Sequence, residues 1–291
     1  MFNINNFIPP LSLNYNWSYD NEIQYKKDFI YPYLDFIIPN CIERFQCLNA
    51  LSKTVKSLDF LDLGCGFSPF AVALKFALQS KPYSQKLFNS KSLHFNTYLG
   101  IDIRTDSINW LKNTFKNDRK FIFHLHESDK ATDYVGEFSR AKANTAFTRG
   151  ESDGSECNYE INSKTPFDIQ WSSSFFTHLT PNAVRKSLQF IKSSLSQNAV
   201  SINTWLIVDE HSRLGMQTGI ADRKLEIDCG DFLTYSKSNP LVCTAYKLQF
   251  VEKCYRDAGL KILSIEKGSW RGGEEKNNFN HYQDVIISTR Y

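Results

Sequence analysis

Between residues 58 and 208, short apolar runs alternate with longer stretches of helical periodicity, and no other feature of the chain restricts its fold as much. Strand, helix and strand in succession close as right-handed crossovers, so repeated units of this kind build a parallel sheet with helices on its faces. The runs lie at 58–63, 97–103, 120–125, 167–172 and 199–208. Between them the sequence predicts an almost wholly apolar helix over 70–78 behind Pro69, and a helix with Ile108, Leu111 and Phe115 on one face behind the capping candidate Asp106. A third helix is opened by Pro181 and aligns Val184, Leu188, Ile191 and Leu195. Further on, Leu248, Val251, Cys254 and Ala258 mark an amphipathic helix stopped by Gly259. Segments 261–266 and 282–289, separated by a Gly- and Asn-rich loop, predict an antiparallel ribbon. Two stretches, 127–166 and 209–246, interrupt this order, and the first is too long for an ordinary connection.

The 291 residues include 23 Phe, 14 Tyr and 5 Trp, enough apolar and aromatic material for a large core, which excludes a disordered or collagenous chain. The 34 basic and 31 acidic residues are interspersed and leave a charge of +3, without the basic stripe of a nucleic-acid partner. The longest apolar stretches, such as 70–78, are broken by Lys75 and reach half of the roughly 20 residues that cross a bilayer, so no membrane partner is expected. The first residues carry neither a basic n-region nor a cleavage site, which predicts a cytoplasmic protein. Seven scattered cysteines without a Cys-x-x-Cys pair read as reduced thiols. His124 and His126 sit at strand spacing, but no third ligand is fixed near them; they read as two partly exposed strand histidines, and no metal is expected.

The chemistry is expected where the first strand ends in Asp62, Gly64, Cys65 and Gly66, because a turn without Cβ atoms lets a ligand approach the backbone. Asp102 ends the next strand, the place from which an acidic side chain reaches ribose hydroxyls. Two departures argue against a dinucleotide. Pro69 takes the place of the third glycine of that pattern, and Gly66 precedes Asp102 by 36 positions where about 20 is typical. An adenosine ligand without phosphates needs the tight turn and the acidic clamp, but no anion cradle.

In these residues the chain resembles the class I S-adenosylmethionine-dependent methyltransferases over about 50–291. Leu61-Asp62-Leu-Gly64-Cys65-Gly66 looks like the family's first motif and Tyr98-Leu-Gly100-Ile-Asp102-Ile103 like its second. Phe167-Asp168-Ile-Gln-Trp-Ser172-Ser173-Ser174-Phe-Phe-Thr177-His178-Leu179 is similar to the fourth-strand segment of a bacterial subgroup, and Gly268-Ser-Trp270-Arg-Gly272 followed by Tyr282-Gln283-Asp284 to that subgroup's ending. The resemblance implies an α/β, Rossmann-like fold: a mostly parallel seven-stranded sheet with an antiparallel C-terminal hairpin and helices on both faces. It also implies S-adenosyl-L-methionine as cofactor and S-adenosyl-L-homocysteine as product, with Asp62, Gly64, Cys65, Gly66, Asp102, Ile103, Ser173 and Ser174 around them. A helical lid over 1–50 would precede a catalytic domain over 51–291 that carries the insertions 127–166 and 209–246. Ser68 departs from the motif's third glycine, and the adenine contact falls to Asp129 or Glu151.

The reaction so implied is in-line transfer of a methyl group to a small-molecule or glycan acceptor, most simply a hydroxyl. A hydroxyl needs a general base and a carboxylate does not. His178, after the fourth strand, is the first candidate base, although such a histidine also fixes turns; Glu210 and His211, after the fifth strand, come next, and His281 last. Trp270, Tyr282, Phe7, Tyr15, Trp17 and Tyr19 are candidates for an acceptor pocket or for plain core, and Arg271 for an acidic substrate or a solvated loop. The place after the fourth strand reads Ser172-Ser-Ser-Phe-Phe and not the Pro-Pro-aromatic pattern of nucleic-acid amino-methyltransferases. The competing readings are a protein that binds the methyl donor without catalysis, a methyltransferase acting on a peptide or carboxylate acceptor, and an NAD-dependent oxidoreductase.

Overall fold

The computed structural model describes residues 7–13, 21–50, 56–88, 93–126, 166–273 and 277–291. Tyr15, Trp17, Tyr19, Asp129, Glu151, Cys157 and residues 127–165 of the first insertion lie outside the described residues. The strands are β1 (Lys56–Leu63), β2 (Leu93–Asp102), β3 (Phe121–Leu125), β4 (Phe167–Ser172), β5 (Leu195–Trp205), β6 (Ile207–Val208), β7 (Ile227–Asp228), β8 (Phe232–Thr234), β9 (Ala245–Lys247), β10 (Leu260–Glu266) and β11 (Asp284–Arg290). Around them lie helices α1 (Glu22–Pro32), α2 (Ile38–Leu48), α3 (Pro69–Gln79), α4 (Lys81–Phe88), α5 (Thr105–Thr114), α6 (Pro181–Ser194), α7 (Glu210–Thr218) and α8 (Leu248–Ala258). None of the described helices is long and apolar enough to cross a membrane.

Seven strands form one sheet in the order β10-β11-β5-β4-β1-β2-β3. The five from β5 to β3 run parallel, while β11 is antiparallel to both β5 and β10. The expected parallel sheet with a C-terminal antiparallel pair is therefore present. Its strands are apolar on both sides because both sides are covered. On one face Phe60, Trp171 and Ile202 pack with Phe29, Leu34, Ile42 and Phe45 from the N-terminal helices and Phe70 of α3. On the other, Leu61, Leu63 and Ile286 meet Val184 and Leu188 of α6 and Val251 and Tyr255 of α8.

Three local expectations change. The run 199–208 is not one strand: β5 ends at Trp205, and β6 joins a second sheet of order β6-β9-β8-β7. The break has a side-chain cause, since the Ile207 amide donates to Asp284 Oδ2 (2.8 Å) and the Ile207 carbonyl accepts from Arg271 Nη2 (3.2 Å). Asp106 does not cap α5. That helix starts two residues earlier, at Thr105 behind Arg104, and Asp106 lies in its first turn, where its charge favours the positive end of the helix dipole. His124 is exposed in β3, but His126 is buried beyond the strand end, where its amide donates to the Asp102 carbonyl (2.9 Å).

The second sheet belongs to the interruption at 209–246 and has its own apolar centre, in which Leu206, Val208, Met216, Leu233 and Ala245 surround Trp270. Between α1 and α2 the helix widens into a π turn over Tyr33–Ile37, with the Ile38 amide bonded to the Tyr33 carbonyl. Pro39 follows; it brings no N–H and its ring would crowd the carbonyl of Asp35, so one wider turn lets the helix continue. The turn sets the Tyr33 ring edge-on to Phe70 and Trp171.

Candidate donor site at the switch point of the sheet

Reading outward from β1, the chain goes right to β2 and left to β4, so the strand order reverses between these neighbours. In open α/β sheets ligands bind beyond the carboxyl ends of the strands at such a point. The glycine turn closes β1 there. Gly64 and Gly66 have φ of +69° and +52°, a region costly for residues with a Cβ. The amides of Gly64 and Cys65 donate to the Ile101 carbonyl (2.9 and 3.1 Å), which ties the turn to β2. Gly66 N then donates to Asp102 Oδ2 (2.7 Å), while Arg104 N donates to Oδ1 (2.8 Å). Each carboxylate oxygen keeps a second lone pair for a hydroxyl. A Cβ on Gly66 would meet nothing within 4 Å, so open space lies over that residue; one on Gly64 would lie 2.8 Å from the Phe175 ring. Asp102 is 9% exposed, Cys65 is buried and Ile103 is half-buried. Burial raises the Asp102 carboxyl above its ordinary range, against the lowering effect of the amides around it.

Beneath the turn, Asp62, Ser68 and Tyr98 form a buried polar cluster. Tyr98 donates to Asp62 Oδ2 (2.5 Å), and the Ser68 hydroxyl lies 2.5 Å from Tyr98 Oη and 3.4 Å from Asp62. Asp62 is held at a pKa of about 7, above all by burial and further by the nearby Asp102, with Tyr98 and Ser68 pulling the other way. Ser68, where the motif of the resembled family has glycine, is itself left-handed (φ +45°). It tolerates this because Oγ caps α3 through the Ala71 amide (3.0 Å) and completes the cluster. Ser68→Ala would keep the strain and lose the cap, and is expected to destabilise the protein by about 1–3 kcal/mol. Ser68→Gly relieves the strain as it loses the cap and should stay within about 1 kcal/mol of the native protein. Urea denaturation would check the order, and an alanine variant as stable as the glycine one would contradict it.

At the end of β4, Ser173 and Ser174 are half-buried, and each is gripped from the C-terminal loop. His281 Nε2 lies 3.1 Å from Ser173 Oγ. The Ser174 amide donates to Thr204 Oγ1 (2.7 Å), which donates to Gln283 Oε1 (2.6 Å). Trp171 stacks on Phe279 and meets His281 edge-on. The structure thus brings Asp62, Gly64, Cys65, Gly66, Asp102, Ile103, Ser173 and Ser174 to one crest, and adds Tyr33 and His281 from the two ends of the chain.

Among the described residues read as candidate bases, His281 alone bonds to a residue of the crest. His178 bonds through Nδ1 to the Leu241 carbonyl (3.1 Å) and so fastens the second sheet's segment to the β4 loop; burial pushes it down to about 4. Glu210 and His211 are exposed in the first turn of α7 and make no side-chain bond to any described residue. Trp270 is wholly buried core. Arg271 is neither solvated nor facing the crest: it is buried and paired with Asp284 (2.8 Å) and Asp209 (2.6 Å). Tyr282 is half-buried with Arg223 over its ring, and Phe7 packs edge-on to Phe115. A cavity of about 500 Å³ opens at the opposite end of the strands between Lys75, His94, Asp118 and Lys120. Lys75 is paired there with Asp118, and Lys120 donates to the Phe95 carbonyl, so its two lysines already have partners and it lies far from the switch point.

No protein-family model matches the chain. Among solved structures, the chain is similar to an S-adenosylmethionine-dependent methyltransferase from Clostridium acetobutylicum ATCC 824, at 14% identity and a TM-score of 0.51 over 97% of this chain and 99% of that one. It is also similar to CalS10 from Micromonospora echinaspora, an amino pentose methyltransferase of calicheamicin biosynthesis solved with its methyl donor bound. That match has 11% identity and a TM-score of 0.51 over 94% of this chain and 98% of that one. The fold is the Rossmann-like class I methyltransferase fold.

Proposed function

We propose that the chain is a cytoplasmic S-adenosyl-L-methionine-dependent methyltransferase that methylates an oxygen of a small molecule, sugar or natural product and releases S-adenosyl-L-homocysteine. The observation that carries this reading is the bonded unit of glycine turn and Asp102 at the switch point, with open space over Gly66. The residues there fit an adenosyl amino acid. Asp102 has lone pairs for ribose hydroxyls, and Asp62 is a buried acid with no ion pair among the described residues, suited to a cationic group. When bound, the donor supplies a methyl group on a positively charged sulfur. The chain's task is to hold donor and acceptor in line, an effect worth up to roughly 7–11 kcal/mol in well-oriented reactions.

The segment 209–245 together with the N-terminal helices is the proposed lid, which excludes water and shapes the acceptor pocket. A sugar or other small acceptor is supported by the fold shared with an amino pentose methyltransferase and by the absence of a basic stripe. Six described cysteines, all free, accord with a reducing compartment. For a hydroxyl acceptor the base would come from Glu210 or His211. His178 and His281, both held near 4, are poor bases at neutral pH, and this favours a carboxylate, which needs no deprotonation, as the second reading.

Offering methyl-labelled donor and the purified protein to a cell extract tests the proposal. The expected result is one labelled small molecule and S-adenosyl-L-homocysteine in equal amounts. Donor binding without product would leave a binding protein, and thermal stabilisation by NAD in place of S-adenosyl-L-homocysteine an oxidoreductase.

A further inference from the structure

Arg44, Arg104 and Arg271, at the carboxyl end of the sheet, are each paired with acids: Arg44 with Glu266 (3.0 Å), Arg104 with Asp106 (2.9 Å), and Arg271 with Asp209 and Asp284. Arg223 is not. It lies in the second sheet's segment, is exposed, and forms no ion pair among the described residues, the neighbouring Asp222 included. Its guanidinium nevertheless has a seat, with Cζ 5.8 Å from the centroid of the Tyr282 ring. A guanidinium over an aromatic face keeps its N–H edge for a planar anion. The backbone sets this seat beside the crest. The Asp222 amide donates to the Trp270 carbonyl (3.0 Å) and the Trp270 amide to the Tyr282 carbonyl (3.1 Å), so both halves of the stack hang on one strut. Tyr282 stands between His281, whose Nε2 is 3.1 Å from Ser173 Oγ, and Gln283, which holds the Ser174 amide through Thr204 (2.6 and 2.7 Å). From the β4 side His178 reaches the same segment through the Leu241 carbonyl (3.1 Å), and the Arg223 charge adds to the burial that keeps this imidazole neutral.

Arg223 belongs to the segment that shapes the acceptor pocket, not to the glycine turn or β2, where the donor is expected. An acid on the acceptor would supply the partner that the chain itself does not, in a bidentate, charge-assisted pair. We propose that Arg223 binds an anionic group of the methyl acceptor, a carboxylate or phosphate away from the methylated oxygen, and so selects acidic acceptors over neutral ones. This rests on the methyltransferase reading above and narrows its acceptor class. The role of an arginine for an acidic substrate, expected of Arg271, passes to Arg223, because Arg271 is buried with two acids of its own.

The test divides the small molecules of a cell extract on an anion-exchange column at about pH 8, where carboxylates and phosphates are ionised. Each fraction is offered to the full chain with methyl-labelled donor. The expected result is a labelled product from the retained fraction and none from the unretained one. Phosphatase treatment of the retained fraction beforehand then separates a phosphate, which loses the label, from a carboxylate, which keeps it. With the retained fraction as varied acceptor, Arg223→Gln should raise KM about tenfold or more and leave kcat within about threefold, as loss of a charged hydrogen bond does. Arg223→Lys, which keeps the charge, should recover part of the loss, and S-adenosyl-L-homocysteine binding, measured by calorimetry, should change less than about twofold in both variants. Label in the unretained fraction alone or equally in both, an unchanged KM in Arg223→Gln, or a matching loss of S-adenosyl-L-homocysteine affinity would overturn the assignment while leaving the methyltransferase reading intact. If neither fraction took label, both would fall.

Discussion

Asp284→Ala is expected to destabilise the protein by about 3–5 kcal/mol, the loss typical when one partner of a buried ion pair is removed. Asp284 is wholly buried and accepts four hydrogen bonds: from the amides of Ile207 (2.8 Å) and Gly268 (2.9 Å), from Trp270 Nε1 (2.8 Å) and from Arg271 Nε (2.8 Å). Its removal leaves three neutral donors unpaired and Arg271, itself buried, held only by Asp209 and the Ile207 carbonyl. Because β5 ends and β6 begins at this cluster, the second sheet should loosen first, visible as faster amide exchange at 206–208 than in β1. Adding Arg271→Met should recover part of the loss, since the stranded charge goes with it. Denaturant unfolding of the two single variants and the double one measures this, and a double loss equal to the sum of the singles would contradict the coupling.

The second large effect is a gain of stability. Asp62 titrates near pH 7 in the folded protein and near 3.8 when unfolded, so the folded state binds the extra proton between these values. The stability associated with that proton is fully present below about pH 4 and is lost as pH rises through 7. Asp62→Asn removes the charge with little change of shape. Without ligand it should stabilise the protein at pH 8 by up to about 4 kcal/mol, from three pK units at about 1.4 kcal/mol each, and hardly at all at pH 4. The same variant should bind the cationic donor at least tenfold more weakly. Thermal unfolding at the two pH values is decisive: equal shifts at both, or destabilisation at pH 8, would show that Asp62 does not sit in the folded protein as a strained acid. An acid kept buried and unpaired at a stability cost is understandable at a binding site, where the ligand supplies the missing charge.

The parts of this architecture that repeat with a short period could be read without coordinates. The alternation over 58–208 indicates the parallel sheet, and the glycine turn with Asp102 at the next strand's end indicates the crest, because both are local and adjacent in the topology. What escaped was set by contacts across the chain. Nothing in the run 199–208 signals that Asp284 and Arg271 would capture Ile207 and split the strand. Tyr33 is one of 14 tyrosines, and only folding sets it against Trp171, 138 positions later. His178 follows the fourth strand, where a base would be sought, but the Leu241 carbonyl holds it as a fastening for the second sheet, while His281 reaches Ser173 from a loop of no recognisable period. Ser68 is the instructive intermediate: its departure from glycine is visible, and its left-handed backbone and the cluster that sustains it are not.

The account stands or falls on Asp102 as the clamp of an adenosyl ligand at the carboxyl end of β2. Titration of S-adenosyl-L-homocysteine into the native protein and into Asp102→Ala by calorimetry tests this most directly. The account predicts one saturable site in the native protein and at least tenfold weaker binding in the variant, about 1.4 kcal/mol, with the fold retained. Equal affinity in the two proteins, or a native protein that takes NAD and ignores S-adenosyl-L-homocysteine, would contradict it.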